Sequence, residues 1–169
     1  MNVEELRHEI DSTLSELIRV VSGIDNDRFN IAKDDHSWTA GQVVQHLVLS
    51  MSAFVNLLKG PTKETTRNPE QHVETLKAIF LNFSKKLKSP EFIVPERKDY
   101  NKENQLRTVQ KLKEEVGNII DAGDLDKTCT AFGFPTIGNL TRKEALFFIL
   151  FHTQRHIQQL KGIPLSSPQ

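Results

Sequence analysis

Two histidines near the end of the chain, His152 and His156, lie four positions apart in the stretch FHTQRHIQQL. Residues at that spacing project from one face of an α-helix, so a single metal ion can bind both imidazoles. Two buried histidines that bond only to neighbouring groups have the same spacing, and the pattern alone leaves both interpretations open. The pair lies on the apolar face of its predicted helix, where each imidazole needs a hydrogen-bond partner or a metal.

A third histidine favours the metal interpretation. His46 lies on an earlier predicted helix beside small or polar residues, namely Gln42, Ser50 and Ala53. One helix can supply two ligands at this spacing, and a facing helix then supplies the third. Three imidazoles leave a coordination position open on a divalent metal, as in catalytic rather than structural zinc sites. Surface roles are predicted for the remaining histidines, which are His8, His36 and His72.

The residues around the histidines exclude several familiar metal sites. The positions between the pair hold Thr153, Gln154 and Arg155, so the glutamate of an H-E-x-x-H protease is missing. No glutamate lies three positions before any of the three predicted ligands, which excludes the Glu-x-x-His pairs of di-iron bundles. The single cysteine, Cys129, has one nearby lysine and no other feature that lowers a thiol pKa, and we do not predict it as a nucleophile.

Helical periodicity extends over most of the chain, because apolar residues recur at steps of three and four. Two capping boxes, Thr39 with Gln42 and Thr141 with Glu144, predict the starts of the two helices that carry the histidines. The predicted helices cover residues 3–24, 40–60, 69–88, 106–120 and 142–161. No pair of strands is predicted, so the expected fold is an all-α bundle that forms a single domain over residues 1–169.

Composition and charge narrow the class of protein. Twenty-two basic residues balance twenty-two acidic ones, and no long basic run is present, so we predict no nucleic-acid partner. The acidic start of the chain does not resemble a signal peptide, and no apolar stretch approaches the length of a membrane span. One cysteine cannot form an internal disulfide. We therefore expect a cytoplasmic protein without membrane segments.

Two blocks of the sequence carry a family resemblance. The first is Trp38-Thr39-Ala40-Gly41 with His46-Leu47, and the second runs from Phe132-Gly133 through Leu140-Thr141 and Glu144-Ala145-Leu146 to His152-Thr153-Gln154-Arg155-His156 and Gln159-Leu160. With these blocks the chain resembles the DinB/YfiT superfamily over nearly its whole length. The resemblance implies a four-helix bundle with unusual connectivity, supplemented here by a short helix or long loops, and often dimeric.

The same resemblance implies a divalent metal, commonly zinc or nickel, bound by a histidine of the second helix and an H-x-x-x-H pair of the last. Carried over to this sequence, the ligands are His46, His152 and His156. Relatives implied by the resemblance include transferases and isomerases that use thiols such as bacillithiol or mycothiol, and metal-dependent hydrolases. We therefore predict a metal-dependent enzyme that acts on a small molecule, with a thiol S-transferase as the leading hypothesis. A hydrolase and a non-enzymatic bundle that binds a small ligand are the alternatives.

Residues beyond the ligands are assigned candidate roles only in substrate binding. No catalytic residue is assigned. Gln42, Arg155 and Trp38 are candidate substrate contacts, with Arg155 suited to an anionic group and Trp38 to the pocket mouth; packing or surface roles are the plainer alternative. A homodimer is also predicted. Its candidate surface lies on the last helix, away from the histidines, on residues that could instead face other helices of the same bundle: Phe147, Leu150 and Phe151.

Overall fold

Four long helices surround the core in the computed structural model, which describes residues 1–167. The elements are α1 (Val3–Ser22), α2 (Asn26–Phe29), α3 (Ala40–Lys59), β1 (Thr62–Lys63), α4 (Val73–Phe80), a 3-10 turn (Glu91–Ile93), α5 (Lys102–Ala122), β2 (Thr128–Cys129) and α6 (Arg142–Lys161). Helix α1 packs against α5 and α6, and α3 packs against the same two, so α1 and α3 lie diagonally across the bundle. The predicted all-α bundle is confirmed, and the buried apolar side chains except Ile93 form one cluster.

Capping boxes fix the starts of α3 and α6, the two helices that carry the predicted ligands. The Thr39 hydroxyl accepts from the Gln42 backbone N–H at 3.0 Å, and the Gln42 side-chain oxygen accepts from the Thr39 N–H at 3.0 Å. Thr141 and Glu144 make the same exchange at 3.1 and 2.9 Å. Each box satisfies two backbone donors that a helix start leaves unpaired. Both predicted capping boxes are confirmed.

Helix α6 is buried on nearly all sides. The three side chains considered for a dimer surface, Phe147, Leu150 and Phe151, are buried within the single chain. Their helix packs against α1, α3 and α4. Of the two interpretations of this face, contact with other helices of the same bundle therefore holds, and the assignment to a dimer surface is wrong. The homodimer itself stays a prediction.

Helix α4 is shorter than predicted. Asn68-Pro69 does not start a helix; the Asn68 side chain accepts from the Glu70 N–H at 2.9 Å and forms a turn. The helix begins at Val73 and ends at Phe80, although apolar residues continue at helical spacing beyond it. Arg155 donates to the carbonyl oxygens of Phe80 (3.3 Å) and Asn82 (2.9 Å), so a tertiary contact holds the chain on a different course after α4.

Two other expectations from the sequence need correction. A short antiparallel pair does form, with Thr62 opposite Cys129 and Lys63 opposite Thr128. Two residues per strand are too few to give an alternating pattern in the sequence. In addition, α3 has a mean hydropathy of 1.3 and by length and composition suffices to cross a membrane, contrary to the prediction. Because 67% of that window is buried inside the bundle, the composition of α3 is explained as that of a core helix.

Candidate metal centre

Three imidazoles converge between α3 and α6. The Nε2 atom of His152 lies 3.0 Å from Nε2 of His46 and 3.1 Å from Nε2 of His156. All three side chains are buried, with exposed fractions of 1% for His46, 6% for His152 and 8% for His156. A tetrahedral ion with metal–nitrogen bonds of roughly 2.0–2.1 Å holds its ligand nitrogens about 3.3 Å apart. The observed spacing is within a few tenths of an ångström of that value.

Hydrogen bonds at the far side of two rings determine which nitrogen is free. His46 Nδ1 lies 2.8 Å from the carbonyl oxygen of Ile93, and His156 Nδ1 lies 2.7 Å from Oε1 of Gln159. Both oxygens accept only, so each Nδ1 carries the proton and donates it. Each Nε2 of these neutral rings then presents a lone pair to the centre. This is the tautomer that a metal ligand requires.

His152 is the third imidazole, and it cannot form good hydrogen bonds to both of the other two. Its Nδ1 lies 3.4 Å from the Ser50 hydroxyl, and its ring stacks on Phe148 with centroids 4.9 Å apart. Its Nε2 faces the lone pairs of both other histidines, and a single N–H donates well to only one of them. A cation among the three nitrogens satisfies every lone pair at once. The donor set therefore fits a bound metal ion.

Burial keeps the three rings in the neutral form that binds metal. It lowers the pKa of His46, and the hydrogen bond to Ile93 offsets part of that shift. Burial also lowers the pKa of His152 well below the ordinary value, with smaller decreases from the neighbouring imidazoles. The pKa of His156 falls to about 3, again chiefly through burial. At neutral pH no proton competes for these nitrogens.

A cavity of about 670 Å³ opens beside the three histidines. Its walls come from α3, α4, α6, the loop at 132–135 and a stretch that we call the wall segment, residues 81–93 after α4. Most of the lining is apolar and includes six phenylalanines, Phe54, Phe80, Phe92, Phe132, Phe134 and Phe148. Among the residues that the structure describes, no aspartate or glutamate lines the cavity.

The candidate substrate contacts occupy three different environments. Arg155 lines the cavity, but its guanidinium already donates to the carbonyl oxygens of Phe80, Asn82 and Lys85. Trp38 packs behind the site, with its ring centroid 5.1 Å from that of His46, and is not part of the lining. Gln42 is also outside the lining and uses its side-chain oxygen in the capping box.

The residues not predicted as ligands lie elsewhere. Cys129 is fully buried outside the cavity, and burial raises the pKa of its thiol. His8 and His36 are exposed on the surface. His72 is half-buried, and its backbone N–H donates to the Glu144 carboxylate at 2.9 Å.

Sequence reasoning missed two features of the site. The Ile93 carbonyl that orients His46 belongs to the backbone and leaves no side-chain signature. The aromatic lining left a weak signal, since ten phenylalanines accompany only one tryptophan and one tyrosine, and the run Phe132-Gly133-Phe134-Pro135 concentrates two of them. That imbalance points to a purely apolar aromatic wall.

The family assignment rests on the comparison with known proteins. No curated protein and no solved structure matches the chain significantly. The family model described as the DinB superfamily matches residues 9–160, which include all three converging histidines and every long helix except the first turns of α1 and the last residue of α6. The match covers far more than half of the sequence. The chain therefore belongs to the DinB superfamily.

Proposed function

We propose that this protein is a metal-dependent S-transferase that joins a low-molecular-weight thiol, through its sulfur, to a small electrophile. The observation that carries the proposal is the convergence of three neutral imidazole Nε2 atoms beside a cavity. Membership of the DinB superfamily supports it as well. Imidazole ligands suit zinc and nickel, the two metals that we propose for the site.

The residues of the chain would hold and orient the reacting groups. The three histidines supply the ligand nitrogens and leave a coordination position for the substrate. A metal bound there supplies Lewis acidity, which deprotonates a bound thiol. Ile93 and Gln159 keep two of the rings in the ligating orientation through their oxygens. The apolar walls exclude water from the thiolate, which strengthens electrostatic interactions in the site.

A thiol suits this cavity better than a water nucleophile. In many metal hydrolases a carboxylate beside the metal accepts the proton of the attacking water. No carboxylate lines the described cavity, and the three histidines are used as ligands. A divalent metal held by the three histidines would lower the pKa of a thiol enough that no neighbouring base would be needed. The hydrolase is therefore the second candidate, to be distinguished by experiment.

The first experiment measures metal binding without any assay of activity. We expect protein purified without an affinity tag to bind about one zinc or nickel ion per chain, since one tripod is present. His46→Ala should lower the affinity at least a hundredfold, because two remaining imidazoles leave the ion largely solvated. His8→Ala, a variant of an exposed histidine, is the matched control. Trp38, the only tryptophan, should report Ni²⁺ by quenching of its fluorescence, because its ring adjoins His46.

The second experiment tests the reaction. Metal-loaded protein is incubated with bacillithiol, mycothiol or glutathione and with a panel of halogenated and epoxide electrophiles. Thiol-dependent turnover that is lost in His46→Ala and kept in His8→Ala supports the S-transferase. Ester hydrolysis that needs the metal but no thiol would instead favour the hydrolase. Ligand binding without turnover of any kind would favour the non-enzymatic alternative and contradict the proposal.

A further inference from the structure

Aromatic rings form a continuous wall from the proposed metal ligand to the cavity mouth. His152 stacks on Phe148, and Phe148 stacks on Phe54 with centroids 3.9 Å apart and an interplanar angle of 20°. Phe80 meets Phe148 edge to face at 5.1 Å. Phe132 meets Phe54 edge to face at 5.7 Å and is 39% exposed, which places it at the rim. The wall therefore offers both faces and edges of rings to an occupant.

Away from the proposed metal, the described lining contains no carboxylate and only two cationic side chains, Arg155 and the exposed Lys88. The guanidinium of Arg155 already donates to the carbonyl oxygens of Phe80, Asn82 and Lys85. Transfer of an unpaired anion into such apolar surroundings is strongly unfavourable. An uncharged aromatic ring has little hydration to lose and gains contact with the phenylalanines.

We propose that the cavity binds the uncharged aromatic body of the electrophile and directs its reacting carbon towards the three histidines. The position of the electrophile's reacting carbon rests on the proposed function. The binding of its aromatic body rests on the cavity alone. At about 670 Å³ the cavity lies within the range of pockets that hold drug-sized ligands. In the transfer, the thiolate sulfur forms a bond to the aromatic or benzylic carbon. The carbon–halogen bond breaks, halide leaves with the bonding pair, and the thiol proton passes to solvent.

Binding of unreactive probes tests the substrate class without turnover. Metal-free protein is titrated, in the absence of thiol, with three probes of nearly equal size: naphthalene-2-methanol, its saturated decahydro analogue and 2-naphthalenesulfonate. Calorimetry gives the dissociation constants. The neutral aromatic alcohol should bind at least roughly tenfold more tightly than the sulfonate, because the anion loses its hydration in the cavity. It should bind roughly threefold to tenfold more tightly than the saturated analogue, because the latter cannot stack.

A variant at the mouth of the cavity tests whether the probe binds there. Phe132→Leu keeps an apolar side chain and removes the ring, and it should weaken naphthalene-2-methanol by roughly threefold to tenfold. Phe83→Leu is the matched control, because Phe83 is also exposed and lies in the part of the wall segment before Leu87, which does not line the cavity. Equal affinity for the alcohol and the sulfonate, or equal effects of the two variants, would overturn the inference. Because no thiol is present, loss of the transferase proposal alone would leave these binding results unchanged.

Discussion

Two oxygen atoms that are not metal ligands orient two of the three imidazoles. His46 is held by a backbone carbonyl, and His156 is held by the side chain of Gln159 at 2.7 Å. Such partners fix the tautomer and raise the basicity of the ligating nitrogen. The backbone contact cannot be removed by substitution. Gln159, whose side chain is exposed, can be changed with little effect on the core.

The first prediction concerns Gln159. In Gln159→Ala, the His156 ring loses the acceptor that keeps the proton on Nδ1, so we expect metal affinity to fall about tenfold. Competition with a chromogenic chelator measures this change. Gln158→Ala removes an adjacent exposed glutamine that is not hydrogen-bonded to a ligand, and it should leave the affinity unchanged. Equal affinities of Gln159→Ala and wild type would mean that the hydrogen bond does not orient the ligand.

The three converging histidines are the part of the site that sequence can predict. The spacing of His152 and His156 places them on one helix face, and the small neighbours of His46 leave space beside it. The Ile93 carbonyl and the loop phenylalanines could not be found in this way. Their approach to the site depends on the path of long connections, which side-chain periodicity does not encode.

At the scale of elements, the wall segment is joined to the bundle by hydrogen bonds at its two ends. The carbonyl of Ile93 accepts from His46, and Arg155 donates to the carbonyls of Phe80, Asn82 and Lys85. Between α4 and α5 the described chain contains only the 3-10 turn as regular structure. The guanidinium therefore replaces the backbone hydrogen bonds that a longer α4 would have made. Arg155 therefore fixes the backbone position of the first part of the cavity wall.

Arg155→Lys tests that organising role. An ammonium lacks the planar fork that reaches several carbonyls at once, so one or two bonds should be lost. At about 1 kcal/mol for each bond, amide hydrogen exchange in the wall segment should accelerate roughly tenfold. Arg97→Lys, at an exposed arginine, is the control and should leave exchange unchanged. Unaltered exchange at residues 82–93 in the Arg155 variant would show that other contacts hold the segment.

A strained turn supports another part of the wall. Ile137 N–H donates to the Phe134 carbonyl at 3.2 Å, and Thr136 has a φ of 66°. A β-branched residue is unfavourable in this left-handed region, which a turn of this kind normally fills with glycine. Thr136→Gly should therefore raise the free energy of unfolding by about 1 kcal/mol, after the entropy of glycine is subtracted. Urea unfolding measures the change. Thr66→Gly, at an exposed loop position without positive φ, should instead destabilise slightly; stabilisation of both variants alike would refute the strain.

The elements that sequence predicts well are those with local signals. Capping boxes and apolar stripes determine α3 and α6 within the chain segment itself. The end of α4 was not predictable, because it depends on Arg155, which follows Phe80 by seventy-five residues. The β1–β2 pair was missed for a similar reason, since its register joins Thr62 to Cys129, which lies sixty-seven residues later in the chain. Local sequence patterns cannot predict contacts between residues so far apart in the chain.

On the scale of the whole molecule, the histidines connect α3 with α6 across the core. Helices α3 and α6 pack against each other, and the imidazoles occupy part of that contact. Metal bound only to the folded chain stabilises it by mass action, by about 2.7 kcal/mol at a free concentration one hundred times the dissociation constant. The site thereby links the stability of the bundle to metal and to protons. The proton linkage is present even without metal, because it comes from burial of the rings.

The last prediction is the pH dependence of the metal-free protein. The pKa of His156 is about 3 in the folded chain and near 6.5 when unfolded, so between these values only the unfolded state binds the proton. Stability must therefore fall as the pH is lowered from 7 to 5, by about 2 kcal/mol from His156 alone. The lowered pKa values of His46 and His152 act in the same direction.

Urea unfolding in the presence of a chelator, at several pH values between 7 and 5, measures this slope. His156→Gln should have a shallower slope, because glutamine does not titrate, whereas the exposed His8→Gln should keep the wild-type slope. Added zinc should raise the free energy of unfolding but leave the contribution of His156 to the slope unchanged, since this nitrogen is unprotonated in the folded chain over the whole range with or without metal. Parallel curves for wild type and His156→Gln would mean that this ring is solvated in the folded chain, and a buried tripod between α3 and α6 would then be untenable.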